Sequence, residues 1–114
     1  MAIPERKVTK DGFEMQMGVN HFGHFYLTYL LWDQLKAAGN PRIINLSSLA
    51  HKGRTKGSDI DFEDINYERG YKNWASYSRS KKANILFSKE LQARMDIAKI
   101  GGIAVSVHPG AVDT

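Results

Sequence analysis

Two short apolar runs constrain the fold of this chain more than any other feature of its sequence. Arg42–Ser47 is a mostly continuous apolar run, and Ile103–Val107 is a second one that Pro109-Gly110 stops. Runs of this length are typical of strands, and their continuity indicates strands covered on both faces. Each follows a helical stretch, and the connections are long enough for crossovers. The order helix, strand, helix, strand predicts an α/β fold with a parallel sheet.

The first helical stretch is predicted from about Asp11 to Ala38, because its apolar residues recur with a period close to 3.6. Thr9 or Asp11 can serve as its N-cap, and Gly39-Asn40-Pro41 ends it. Glycine weakens a helix interior, so a bend is expected where small and polar residues cluster. These residues are Gly18, Asn20 and Gly23.

A long polar loop precedes the second helix. It runs from Leu49 to Lys72, and one short turn of structure is expected near Phe62–Ile65. The second helix is predicted from about Trp74 to Met95 or slightly beyond. Polar groups follow both predicted strands, and ligands of open parallel sheets bind beyond the carboxyl ends of the strands. This places the candidate site near Ser47-Ser48 and His108-Pro109-Gly110.

Composition excludes several classes of protein. The chain has no cysteine, which rules out disulfide scaffolds, thiolate zinc sites and cysteine nucleophiles. This composition fits a reducing compartment, so we expect an intracellular location, cytoplasmic or associated with the endoplasmic reticulum. The sequence does not indicate whether the protein is attached to a membrane. The net charge is +4, but the basic run 51–56 is followed directly by the acidic run 59–64. Such adjacent blocks are typical of a solvated loop, so we expect no nucleic-acid partner.

Tyr77 and Lys81 form the first candidate catalytic pair. They lie four residues apart on one predicted helix, which puts both side chains on the same face. The pKa of a free tyrosine is near 10, and a neighbouring ammonium lowers it by favouring the phenolate. The pair could therefore exchange a proton in a carbonyl–alcohol interconversion. The spacing alone is a weak signal, since an exposed tyrosine–lysine pair on a helix surface is common, and by itself it favours that interpretation.

Ser48 and Asn20 are two further candidates. Ser48 follows a predicted strand, where its hydroxyl can reach a ligand over the sheet, although a loop serine also caps turns. Asn20 lies at the predicted bend, where a polar side chain can instead bond to backbone groups.

Four motifs in order carry a resemblance to a known family. They are Asn20-His-Phe-Gly-His-Phe25, Ile43-Ile-Asn-Leu-Ser-Ser48, Tyr77-Ser-Arg-Ser-Lys81 and His108-Pro-Gly-Ala-Val-Asp-Thr114. Together they resemble the short-chain dehydrogenase/reductase family, and residues 60–66 and 80–91 resemble its retinol-dehydrogenase-like branch. The resemblance implies a partial Rossmann-type, doubly wound parallel sheet, of which only the central-to-late portion is present.

The resemblance also implies a role for each candidate. Tyr77 would be the general acid/base, Ser48 would hydrogen-bond the substrate oxygen, and Lys81 would bind the nicotinamide ribose. Asn20 would hold a water in a proton relay with Lys81. The cofactor would be NAD or NADP, without a choice between them. The implied cofactor-binding residues are Asn20, Tyr77, Lys81, Pro109, Gly110 and Thr114. The sequence departs from the family pattern at two positions. Lys82 stands where leucine is usual, and Asp113 stands where a basic residue is frequent.

No Gly-rich phosphate-binding turn precedes Asn20, and the sequence stops at Thr114. We therefore expect residues 1–114 to be the catalytic middle portion of one NAD(P)-binding domain, truncated at both ends and inactive alone. The expected activity of the whole enzyme is alcohol–carbonyl interconversion on an apolar substrate, retinol/retinal-like or a lipid aldehyde. The alternative is a non-catalytic dimerisation or scaffold fragment, since a homodimer through the two long helices is implied by the same resemblance.

Overall fold

The computed structural model describes residues 2–53 and 55–110. Its helices are α1 (Met15–Met17), α2 (Gly23–Leu30), α3 (Trp32–Ala37) and α4 (Asn73–Ile97), and its strands are β1 (Arg42–Leu46) and β2 (Ile103–Val107). A π-helical turn, Gly18–Phe22, joins α1 to α2, and two 3₁₀ turns, Leu49–Lys52 and Phe62–Asp64, interrupt the loop before α4. No helix in these two described ranges is both long and apolar enough to span a membrane.

β1 and β2 form a parallel pair, as the sequence predicts. The register runs from Arg42 opposite Ile103 to Leu46 opposite Val107. The ladder continues by one bond, since the Ser47 amide donates to the Val107 carbonyl at 2.8 Å. The two carboxyl ends therefore lie side by side at one edge of the sheet. With α4 as the crossover between the strands, this confirms the partial Rossmann-type α/β fold.

One face of the sheet is covered and the other is not. Ile43 and Ala104 are buried against Leu91 and Met95 of α4, and together they form the core cluster. The opposite face carries apolar side chains, among them Ile44, which is 59% exposed. Coverage of both faces was predicted, but in the described part of the chain the helices pack on one side only. A continuous apolar run predicts that both faces of a strand are covered, but it does not identify the residues that cover them.

The first helix begins later than predicted. It starts at Met15 rather than Asp11, and its N-cap is Glu14 rather than Thr9 or Asp11. The buried Glu14 carboxylate accepts from the amides of Gln16 and Met17 at 2.9 and 2.8 Å. Gly12, at a φ of +86°, turns the chain back on itself before the helix, so the residues before Glu14 cannot join it. The end at Ala37 agrees with the prediction to within one residue.

The predicted bend is the π-helical turn Gly18–Phe22, which contains Asn20. A π-turn inserts one extra residue into a helix and displaces the backbone groups that follow. Gly18 is needed there because a Cβ at this position would lie 2.7 Å from Cγ2 of Thr9. A second interruption at Leu31, between α2 and α3, was not predicted.

α4 is close to its predicted limits, and one of its side chains organises the loop before it. Arg79 is buried, and its Nε and Nη1 donate to the carbonyls of Gly57 and Asp64 at 2.8 and 3.1 Å. Its guanidinium also lies 3.8 Å from the centroid of the Tyr67 ring. Arg79 thus holds the long loop against α4. The 3₁₀ turn Phe62–Asp64 confirms the short turn predicted in this loop.

Candidate active site

Lys81 and Tyr77 lie together on α4 at the carboxyl edge of the sheet. The Lys81 Nζ is 5.6 Å from the centroid of the Tyr77 ring and donates to the Leu46 carbonyl at 3.1 Å. Lys81 is only 8% exposed, and desolvation lowers the pKa of its ammonium. A burial-destabilised ammonium beside a phenol is an arrangement suited to proton exchange at the phenol.

Tyr77 is half-buried, and its ring stands edge-on to Trp74, with 6.0 Å between the ring centroids. Trp74 lies one residue inside the start of α4, so the tyrosine is in the second turn of the helix. The Tyr77 ring therefore has both the Lys81 ammonium and the Trp74 indole as neighbours.

The two serines that follow β1 point in different directions. Ser47 is buried, and its hydroxyl donates to the Lys81 carbonyl at 2.8 Å. Ser48 is half-buried, and its hydroxyl oxygen accepts from the Ala50 amide at 3.2 Å, which caps the 3₁₀ turn Leu49–Lys52. That turn packs against α4. The capping interpretation of Ser48 is therefore what the structure shows. Because capping uses only the oxygen as an acceptor, the Ser48 O–H remains a donor.

Asn20 is connected to the backbone of Tyr77. Its Nδ2 donates to the Ser80 hydroxyl at 3.0 Å, and that hydroxyl donates to the Tyr77 carbonyl at 2.8 Å. The Asn20 carbonyl, in the π-helical turn, accepts from Nδ2 of Asn84 at 2.9 Å. The structure thus brings Asn20 into the same cluster as Tyr77 and Lys81, through Ser80 and Asn84.

Asn84 is the main site residue that the sequence did not single out. It is 1% exposed, and its amide also donates to the Leu46 carbonyl at 3.1 Å. A positional signal exists, since Asn84 follows Lys81 by three residues and so shares its helix face. Two other missed residues, Asn45 and Ser88, bond to each other at 2.8 Å below the site and link β1 to α4.

His108, Pro109 and Gly110 follow β2 directly and are exposed. The parallel register puts them at the sheet edge where Ser47 and Ser48 follow β1. Gly110 has a φ of +87°, a conformation that favours glycine. The predicted cofactor contact Thr114 and the departure at Asp113 lie outside the described residues.

Lys82, where the family pattern has leucine, points to the surface. Its Nζ forms an ion pair with Asp59, and this hydrogen bond lowers the pKa of the Asp59 carboxyl. The departure therefore changes a surface contact of the long loop and leaves the cluster around Lys81 unaltered.

The family model for short chain dehydrogenases matches residues 2–114. The chain therefore belongs to the short chain dehydrogenase family, as a parallel strand–helix–strand unit with a Tyr-x-x-x-Lys helix indicates.

Several proteins similar to this chain are retinol dehydrogenases. The chain is 52% identical to human retinol dehydrogenase 13 over 108 residues, which are 93% of this chain and 30% of that protein. It is 50% identical to mouse retinol dehydrogenase 11 over 114 residues, covering 98% of this chain and 33% of that protein. Human retinol dehydrogenase 14 is 49% identical over 107 residues, which are 93% of this chain and 30% of the relative.

A solved structure supports the fold. A crystal structure of a protein from Mycobacterium paratuberculosis superposes with a TM-score of 0.83 at 42% identity, over 99% of this chain and 40% of that one. The chain spans about a third of the length of the curated relatives it matches.

Proposed function

We propose that this chain supplies the catalytic centre of an NAD(P)-dependent oxidoreductase that interconverts an alcohol and a carbonyl. The observation that carries the proposal is the Lys81 ammonium, 5.6 Å from the Tyr77 ring centroid on a shared helix face at the sheet edge. Family membership supports the class of reaction.

The chemistry divides between the cofactor and the chain. The nicotinamide, when bound, supplies or accepts the hydride. In the reductive direction Tyr77 donates its phenolic proton to the substrate oxygen, and in the oxidative direction it takes that proton back. The Lys81 charge lowers the free energy of the phenolate, which makes both transfers easier near neutral pH. Ser48 donates a hydrogen bond to the same substrate oxygen and orients it.

The residues present fit a nicotinamide ribose. An ammonium carries three N–H donors, and among the described residues Lys81 gives one of them to the Leu46 carbonyl. Ribose hydroxyls are acceptors that match the remaining donors. Pro109, Gly110 and Thr114 would line the nicotinamide end, and Gly110 presents no side chain that would obstruct it. Asn20 and Tyr77 complete the proposed contacts.

We propose an apolar substrate, either a retinol/retinal-like molecule or a lipid aldehyde. The names of the retinol dehydrogenases support this choice. We also propose that residues 1–114 are the middle portion of one larger NAD(P)-binding domain. The share of the relatives that is matched supports this, and so does the exposed apolar face of the sheet.

Replacing the proposed acid/base tests the function. In the full-length protein, Tyr77→Phe removes the exchangeable proton but keeps the ring between Lys81 and Trp74. Carbonyl reduction, followed by NAD(P)H absorbance, should fall by a factor of about 100 or more. Cofactor affinity, measured by nicotinamide fluorescence, should change by less than about twofold, because the hydroxyl is a small part of the cofactor contact. Tyr29→Phe, on the exposed α2, is the control. Unchanged turnover in Tyr77→Phe would contradict the assignment.

A second candidate function has one observation in its favour. An apolar groove of about 470 Å³ lies between α2–α3 and the later part of α4, lined among others by Phe25, Trp32 and Phe87. A non-catalytic dimerisation or scaffold role through these two helical segments would use such a groove. Sedimentation velocity on the full-length protein and a Phe25→Glu variant separates the candidates. Dimers that Phe25→Glu dissociates, without any turnover in the unaltered protein, would favour the scaffold.

A further inference from the structure

Asn84 is buried at the point where three elements of the site meet. It lies on α4, and its side chain reaches both the end of β1 and the π-helical turn. Its Oδ1 is 3.1 Å from Nδ1 of His21, and its Nδ2 is 2.9 Å from the Asn20 carbonyl and 3.1 Å from the Leu46 carbonyl. An amide oxygen accepts and an amide nitrogen donates, so every polar group of this side chain is used.

These contacts fix the orientation of the amide. The two carbonyls can only accept, so the nitrogen of Asn84 must face them and its oxygen must face His21. His21 then carries its proton on Nδ1. Burial lowers the pKa of His21, which keeps the ring neutral and able to hold this single tautomer.

The Leu46 carbonyl is the link between Asn84 and Lys81. It accepts from the Lys81 ammonium at 3.1 Å and from the Asn84 amide at 3.1 Å. A carbonyl oxygen has two lone pairs, so both are occupied. The amide therefore limits how far the ammonium can approach this oxygen. Through its second N–H it also sets the spacing between β1 and the turn that contains Asn20.

We propose that Asn84 is a positioning residue that holds the Lys81 ammonium at its working distance from Tyr77, an inference that rests on the proposed function. It acts by sharing the carbonyl of Leu46 and by tying that carbonyl to the backbone of Asn20. It touches neither substrate nor cofactor.

Removal of the Asn84 amide should change the position and the pKa of the Lys81 ammonium in a definite direction. In Asn84→Ala the carbonyls of Leu46 and Asn20 each lose a donor, and an unsatisfied buried acceptor is costly. The ammonium then moves towards Leu46 and away from Tyr77, and water enters the vacated space. Better hydrogen bonding and hydration raise the pKa of Lys81. The greater separation also weakens the stabilisation of the Tyr77 phenolate by the ammonium, so we expect the pH profile of turnover to shift to higher pH.

Other titratable groups lie on the elements around Lys81. Among the described residues they are Tyr77, Arg79, Lys82, Lys89, Glu90, Arg94 and Asp96 on α4, His21 on the π-helical turn, His51 and Lys52 on the first 3₁₀ turn, and Arg42 on β1. Desolvation is the cause of the lowered Lys81 pKa. A change in that pKa after substitution of Asn84 would therefore report on hydration and hydrogen bonding at the ammonium.

The test uses the full-length protein with Asn84→Ala and the milder Asn84→Ser, which keeps one donor if alanine prevents folding. Ser88→Ala is the matched control, since Ser88 is also buried on α4 and bonds to Asn45 and to the Asn84 backbone carbonyl, with no bond to the Asn84 amide or to Lys81. The pKa of the Lys81 ammonium is measured by side-chain NMR titration without substrate. Turnover is measured against pH with saturating cofactor. We expect a raised Lys81 pKa, a profile shifted to higher pH and a roughly tenfold lower kcat at neutral pH in Asn84→Ala.

Each outcome is decisive. A Lys81 pKa that stays the same in Asn84→Ala, or that moves as far in Ser88→Ala, overturns the positioning role. A raised Lys81 pKa in a protein that has no turnover in any variant supports the link between Asn84 and Lys81 but overturns the oxidoreductase proposal. A shift confined to the Asn84 variants, together with the altered pH profile, supports both.

Discussion

α2 and α4 touch through the rings of Phe25 and Phe87, whose centroids are 5.2 Å apart, and each helix reverses the usual relation between polarity and burial. α2 is composed mainly of apolar and aromatic residues, yet none of its residues is buried. α4 carries a mostly polar set of buried residues: Ser76, Ser78, Arg79, Ser80, Lys81, Asn84 and Ser88. A buried polar group is costly unless it is hydrogen-bonded. All of these side chains other than Ser76 donate to a backbone carbonyl. The buried polar face of α4 is therefore held in a defined arrangement by hydrogen bonds.

The exposed surface of α2 has the opposite meaning. Tyr29 is 69% exposed and Tyr26 is 59% exposed, and their rings stack with centroids 6.1 Å apart. A contiguous apolar patch on a folded surface is typical of a site that contacts another protein, a membrane or a ligand. Together with the exposed sheet face, α2 offers the surface that the proposed larger domain and the proposed dimer would cover. The comparison teaches that, if the proposed function holds, the buried polar face of α4 would carry the chemistry and the apolar surface of α2 would be covered by other protein.

The largest expected effect is on the chain expressed alone. If α2 and the open sheet face are contact surfaces for the rest of a domain, residues 1–114 alone should lack a cooperative thermal transition and should not bind NAD(P)H tightly. Exposed strand edges should also favour association. Calorimetry and nicotinamide fluorescence on the isolated chain and on the full-length protein check this. A sharp thermal transition together with micromolar cofactor binding by the isolated chain would contradict the interpretation of α2 and the open sheet face as contact surfaces.

The next largest effect concerns the buried polar face of α4. Arg79→Met in the full-length protein removes the donors to the Gly57 and Asp64 carbonyls and the contact with the Tyr67 ring. Leaving the buried Asp64 carbonyl and the half-buried Gly57 carbonyl without this donor should lower the free energy of unfolding by about 3 kcal/mol. The matched control is Lys89→Met on the exposed side of the same helix, expected within about 0.5 kcal/mol of the unaltered protein. Urea titrations measure the free energy of unfolding of both variants. Equal values would contradict a stabilising role of the buried Arg79.

The smallest effect lies at the contact between the two helical segments, where His21 pairs with Asn84. Burial lowers the pKa of His21 below 6.5 in the folded state, so the unfolded state binds a proton more readily. Stability should therefore fall as the pH drops through 6.5 and the unfolded chain becomes protonated. His21→Gln, which cannot titrate, should reduce this loss, whereas His24→Gln on the exposed α2 should keep it. Thermal melts across this pH range measure the difference, and identical pH dependence in both variants would exclude His21 as its source.

The sequence located the two strands and α4 well, and it did less well at the first helix. Strand and helix periodicity is local, so Ile103–Val107 is predicted at its observed limits. The start of the first helix was wrong because Glu14, a residue without special propensity as a cap, is buried and held by the Asn66 side chain, 52 positions away. Nothing within one turn of Glu14 signals that contact.

The candidate site shows the same division. Residue types made Tyr77, Lys81, Ser48 and Asn20 candidates, because the chemistry of a phenol, an ammonium and a hydroxyl is a property of the side chain. The resemblance of the ordered motifs to a family then implied a role for each. Which of Ser47 and Ser48 turns inward, and that Asn84 joins Asn20 to the carbonyl shared with Lys81, was decided only by the tertiary structure. The Asn84–Asn20 contact spans 64 positions in the sequence. Such a contact exists only after α4 has packed against β1 and the π-helical turn, so no local pattern encodes it.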